Sequence, residues 1–180
     1  VTSNYSFLRG GSHPAELVDQ AVTLGHRAIA LTDRNTLGGV VRAHVAARDA
    51  RRAGKNIKLL IGTRLVLQDG FSLLAYPLDL TGYNKLCRLL TKGNLRAPKG
   101  QCHLFLRDVF EYSDKLLAIV VPREDPDAAF VRRLADCADV FRGRCHLAGH
   151  HLYRGDDARR LEQLAQLGRR HGAPLVATND

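Results

Sequence analysis

A chain of 180 residues, 45% hydrophobic and 25% charged, has the composition of a globular protein with its own core, which excludes a disordered or low-complexity polypeptide. Twenty-seven lysines and arginines against 18 acidic residues give a net charge of +9 and a pI near 9.8, a balance that favours an anionic partner. No run reaches the ~18 apolar residues of a membrane span, and Cys87, Cys102, Cys137 and Cys145 show no CxxC pairing, so a reduced, cytoplasmic protein with no membrane partner is expected. One domain is expected over 1–180. A chain that starts at Val1 rather than Met and stops abruptly at Asp180 reads as part of a longer protein.

Val1 to Tyr5 reads as a strand that needs residues upstream of Val1 to complete it, followed by a loop at Arg9 to Ser12. A helix comes next, capped by Ser12 or His13, with Pro14 in its first turn and Glu16 at the positive end of its dipole. Its inner face is Leu17, Ala21 and Leu24, and Gly25 stops it. Ala28 to Ala53 then has the order of a βα unit: an apolar strand from Ala28 to Leu31, an acidic tip at Asp33, Thr36 as N-cap, and a helix whose Leu37, Val40, Val41, His44 and Ala47 recur at helical spacing before Gly54.

Further along, Lys58 to Leu67 and Phe71 to Tyr76 form a hairpin-like strand pair around Gln68 to Gly70. Helices are expected over Leu80 to Thr91, ended by Gly93, and over Leu104 to Tyr112; Leu116 to Val121 is a continuous apolar strand. Pro126 to Ala138 is helical, Cys145 to Ala148 a short strand, and Asp156 caps a helix with Leu161, Leu164, Ala165 and Gly168 inside. Leu175 to Thr178 is a last strand running out at Asn179 and Asp180. About seven strands in near alternation with helices imply an α/β fold on a parallel sheet, either closed into a barrel smaller than the usual ~250-residue one or open and doubly wound.

In such folds the chemistry sits after the C-terminal ends of strands. That face would collect Tyr5 to Arg9, Asp33 to Asn35, Arg64, Tyr76 to Asp79, Pro122 to Glu124, Gly149 to His151, and Asn179 with Asp180. Carboxylates and histidines are present, together with at least three arginines that would crowd a cation. No GxGxxG, GxxxxGK[ST] or nucleophile-elbow motif occurs, which argues against a nucleotide cradle or a serine hydrolase. His150 and His151 are adjacent and read as surface histidines in a turn, and His44, on an apolar stripe, reads as a packed residue.

The segments VTSNYSFLRG, AIALTDRNTLGGVV, LLIGTRLVLQDG, GYNKLCRLLTKG, HLYRGDDARRLEQLA and PLVATND, in this order, resemble the N-terminal polymerase-and-histidinol-phosphatase (PHP) domain of bacterial C-family DNA polymerases. Among these the chain is most similar to the error-prone paralogue of the replicative DNA polymerase III alpha subunit. The resemblance implies a distorted seven-stranded βα barrel and a parent nucleotidyltransferase that uses magnesium in damage-induced translesion synthesis. It also implies DNA, the remainder of the polymerase chain, a sliding clamp and mutagenesis-cassette accessory proteins as partners.

In family members with an active site, histidine and acidic residues after successive strands bind up to three metal ions for phosphoester hydrolysis, because clustered metals activate water and hold phosphate oxygens. By the resemblance, the matching positions here are Thr2 for a histidine, Arg9 for an acidic residue, Arg34 for a histidine and Arg64 for a glutamate; Asp33 and Asp180 retain the family residue. An arginine offers no lone pair to a metal. The expectation is therefore a degenerate metal site with no catalytic residue, no metal and no cofactor within 1–180, in which Arg34 and Arg64 pair with Asp33 and Asp180.

Two other readings stand beside this structural one. A metal-dependent phosphoesterase or 3′–5′ proofreading exonuclease would use Asp33, His150 or His151, and Asp180. A DNA- or protein-docking module would use the basic run from Thr81 to Arg107, which holds no acidic residue and offers Lys92, Arg96 and Lys99 to phosphates. A second basic region, Arg42 to Lys58 with only Asp49 against it, looks like an ordinary solvated helix face.

Overall fold

The computed structural model describes residues 1–151 and 153–178, which hold six helices and six strands. The chain divides into two compact units, Val1–Arg64 and Leu65–Asp180.

The first unit contains α1 (Pro14–Thr23), β1 (Ala28–Arg34) and α2 (Val40–Arg52), and β2 (Lys58–Val66) begins in it. β1 and β2 pair in parallel from Ala28↔Lys58 to Arg34↔Arg64. Pro14 opens α1, where its missing N–H costs nothing, and the Glu16 carboxylate accepts the His13 N–H at 2.8 Å. Val18, Ala21, Ile29, Leu31, Val40, Ala43, Ala47 and Ile57 form the core. Small Ala43 and Ala47 face inward, and this rotates the stripe expected for α2: Val41 is 72% exposed and His44 is exposed, not packed. Leu24, expected inside, lies beyond the last turn of α1 and is 62% exposed. Thr36 does not cap α2, which starts four residues later with Gly39 at its N-cap; the Thr36 hydroxyl accepts the Gly38 N–H in the preceding turn.

The strand expected at Val1–Tyr5 shrinks to one residue. The Val1 amino group donates to the Ala30 carbonyl at 2.7 Å and the Val1 carbonyl accepts the Thr32 N–H at 2.9 Å, the bonding of a parallel strand, after which the chain leaves the edge of β1. Residues 4–9 are turns because Ser3 and Ser6 are drawn to Asp33 instead of into a ladder. Six strands are therefore found among the described residues in place of seven.

The second unit holds β3 (Ser72–Pro77), α3 (Leu80–Leu95), α4 (Leu106–Glu111), β4 (Leu116–Val121), α5 (Ala128–Phe141), β5 (Cys145–Gly149), α6 (Asp157–Arg170) and β6 (Leu175–Ala177). A tight turn closed by the Leu67 N–H on the Phe71 carbonyl reverses the chain before β3. β3 then pairs antiparallel with β4, while β4, β5 and β6 are parallel, so the sheet is parallel except at β3, the strand read as the second half of a hairpin-like pair. On one face of these strands Leu73, Ala75, Ala118, Val120 and Leu147 are fully buried, and α3, α5 and α6 pack on β3, β4 and β5.

Gly93 does not stop α3. The helix runs through it to Leu95, and an alanine Cβ there would lie 2.6 Å from Cys102 Sγ and 2.7 Å from Leu104 Cδ2. Glycine marks the close approach of the returning chain. All four cysteines are free thiols, and burial pushes those of Cys137 and Cys145 up, the latter to about 11.

Candidate functional site

At the C-terminal end of β1 the chain places Asp33, 1% exposed, with the N-terminal loop folded over it. Three donors reach its carboxylate. Ser3 N–H and Ser6 Oγ–H bind Oδ1, and Ser3 Oγ–H binds Oδ2, each at 2.7 Å. Both serine oxygens are used twice, since Ser6 Oγ accepts the Arg34 N–H at 2.8 Å and Ser3 Oγ accepts the Tyr5 N–H at 3.2 Å. Behind the carboxylate, an added Cβ on Gly39 would lie 3.0 Å from Oδ2, so the N-terminus of α2, with its positive end of the dipole, adjoins the acid. On the backbone side, the Asp33 carbonyl accepts the Thr63 hydroxyl at 2.7 Å.

The loop can close this tightly because of Gly10, where a Cβ would fall 2.3 Å from the Ser3 carbonyl oxygen and 2.7 Å from that of Thr2. Two further backbone bonds, Asn4 N–H to the Ser12 carbonyl and Gly10 N–H to the Ser6 carbonyl, hold the loop on itself. At its tip Phe7 and Leu8 are 85% and 86% exposed.

The other site positions in this unit do not converge on the acid. Thr2 is half-buried beside Gly10, and Arg9 is exposed at the loop's end. Arg34 is exposed and has no ion pair among the described residues, so the expected Arg34–Asp33 pair is not formed; the serines occupy the carboxylate instead. Arg64 is half-buried, in register with Arg34, and its carbonyl accepts the Asn35 N–H at 2.9 Å. Asn35 turns the chain out of β1 at φ 51°, a left-handed conformation that asparagine tolerates. Asp180 lies outside the described residues.

In the second unit, His151 is exposed after β5, with Nδ1 3.6 Å from Asp157 and its ring 4.6 Å from that of Tyr153. His150 precedes it and is half-buried. Among the described residues no three histidine, cysteine or acidic side chains stand close enough to hold a metal ion.

The basic run from Thr81 to Arg107 is answered by acids beyond its end. Asp108, its side chain 2% exposed, takes Arg96 through both guanidinium nitrogens at 2.5 and 3.2 Å, and Lys92 stands 3.2 Å away. Lys92 also binds Glu111 at 2.6 Å, and Lys85 binds Asp114 at 2.5 Å. Burial by itself would raise the Asp108 carboxyl, but the Arg96 guanidinium, the Phe105 N–H and Lys92 outweigh it and hold the group down at about 2. Two of the three cations offered for phosphates are thus committed to the protein's own acids. Lys99 is exposed in the following turn, without an ion pair among the described residues.

The PHP domain family model matches residues 1–167. An error-prone DNA polymerase of Caulobacter vibrioides is 47% identical over the whole of this chain, and one from Brucella abortus is 42% identical; the chain spans only 16% and 17% of their lengths. Among solved structures, a candidate metal-dependent phosphoesterase from Bifidobacterium adolescentis matches 99% of this chain and 85% of its own, with a TM-score of 0.72 at 15% identity. An amidohydrolase from Chromobacterium violaceum, with bound sulfate and no metal, matches 99% of this chain and 84% of its own, at TM-score 0.66 and 17% identity. At such identities the likeness shows the α/β fold alone.

Proposed function

Because this chain belongs to the PHP domain family, we propose that it is the PHP module of an error-prone DNA polymerase and that it serves the polymerase as a structural domain without hydrolytic activity. The observation that carries this reading is the closure of the Asp33 carboxylate by Ser3 and Ser6. A carboxylate that must present an open lone pair to a metal is here turned onto three protein donors, and its neighbours in the family pattern are a threonine and three arginines. Such a donor set does not fit a cluster of divalent ions. The relatives support the choice of parent, since the error-prone polymerases match the chain from end to end.

On this reading the parent copies damaged templates as a magnesium-dependent nucleotidyltransferase in the cytoplasm, with a sliding clamp and accessory proteins as partners, and the domain's immediate neighbour is the rest of the polymerase. Residues 1–180 are then a single PHP domain with the family's distorted seven-stranded βα barrel as its fold. The test is metal content by mass spectrometry on tag-free protein, after incubation with zinc and manganese and exhaustive buffer exchange. Near-zero stoichiometry is expected; retention of one or more equivalents would overturn the non-hydrolytic reading.

A further inference from the structure

The net charge is not shared evenly. Val1–Arg64 holds ten lysines and arginines against four acidic residues, and the rest of the chain seventeen against fourteen, which divides +9 into +6 and +3. The four acids of the first unit have little to spare. Asp33 is buried under the serines, Glu16 accepts the His13 N–H, and Asp49 is shared between Arg48 at 3.0 Å and Arg52 at 3.7 Å, leaving Asp19.

The topology gathers the surplus at one end. α1 and α2 both finish where β1 and β2 begin, and the pairing of Ala28 with Lys58 is continued by the Lys58 N–H on the Arg27 carbonyl at 2.9 Å. The turn after α2 folds back through the Lys55 N–H on the Ala50 carbonyl at 3.0 Å. His26, Arg27, Arg51, Arg52, Lys55 and Lys58 therefore share one edge, and all six are exposed. Arg27, Arg51, Lys55 and Lys58 have no ion pair among the described residues. Two cations in the last turn of α2 are explained by the helix dipole. The dipole of α2 does not account for Arg27, Lys55 and Lys58, which lie outside any helix.

We propose that this edge, at the N-terminal ends of β1 and β2, binds the phosphodiester backbone of nucleic acid. Exposed cations with no ion pair among the described residues, gathered at one edge, give a sequence-independent phosphate contact driven by counterion release. The edge lies about 17 Å along β1 from Asp33, at ~3.3 Å per residue, so it is separate from the family's site. It is also distinct from the Lys92 and Arg96 pair, whose charge Asp108 and Glu111 already take. Choosing nucleic acid over other polyanions rests on reading the parent as a DNA polymerase.

The test is fluorescence anisotropy of the 180-residue protein with a labelled DNA duplex over a salt series. Binding should weaken with salt at a log–log slope between about −2 and −4, at ~0.9 per neutralised phosphate. The variant R27Q/R51Q/K55Q/K58Q should bind roughly tenfold weaker or worse, with the salt slope falling toward zero. The charge-retaining R27K/R51K variant should bind as the wild type does. Far-UV circular dichroism checks that each variant is folded. Failure of the wild-type protein to bind the duplex, equal binding by the quadruple variant, or binding confined to phosphatidylserine vesicles would each overturn the proposal. Loss of this proposal would leave the metal-content result untouched, and retained metal would leave this surface untouched.

Discussion

Asp33 owes its place to two serines that carry no obvious signal. Each Ser hydroxyl donates to the carboxylate and accepts a backbone N–H from the chain that follows, so the pair ties residues 3–6 to the end of β1. Ser6→Ala removes one charge-assisted bond and leaves the Arg34 N–H without its acceptor. It should cost about 1.5–3 kcal/mol in urea unfolding, the range for hydrogen bonds to a charged group. Arg34→Gln should stay within about 0.5 kcal/mol, because the side chain is exposed and has no ion pair among the described residues. An equally large loss from Arg34→Gln would mean that the guanidinium, and not the serines, holds the acid.

At the scale of elements, the partnership of α3 with α4 turns on spacing. Lys85, Lys92 and Arg96 fall on one side of α3 at i, i+7 and i+11, and meet Asp114, Glu111 and Asp108 in antiparallel order. Within a single segment the run looks like a phosphate-binding stripe; paired with the acids that follow, it fastens one helix to the next. Asp108 is the buried member, held at about 2 against an ordinary 3.8. A depressed carboxyl supplies stability that is complete above about pH 4 and is lost as pH falls toward about 2. Asp108→Asn should lower unfolding stability by about 1.5–3 kcal/mol near neutrality. Its difference from the wild type should close over that acid window. Parallel stability curves down to pH 2 would contradict the assignment.

For the whole molecule, the order of helices and strands was legible because each has its own local signal. Leu116–Val121 is a continuous apolar run and coincides with β4; Asp79 and Asp127 cap α3 and α5 by accepting the Gly82 and Phe130 N–H groups. The polymerase activity of the relatives is a separate matter. The chain spans only 16–17% of the lengths of those proteins. Given primed template, deoxynucleotides and magnesium, the 180-residue protein should produce no primer extension. Extension by the purified chain would place polymerase chemistry within these residues.

Periodicity, caps and the ordered family segments, all readable along the chain, were enough to assign an α/β fold and the PHP family, because those features are set by neighbours a few residues apart. Which acid answers which base, that β4 is a strand β3 pairs with, and that Val1 joins β1 for a single residue were decided only in three dimensions. Each depends on partners 12 to 49 residues apart, brought together by packing that no local pattern records. For the same reason Asp33 looked like a ligand or an arginine's partner on paper. In the folded protein, serines 27 and 30 residues away had already closed it.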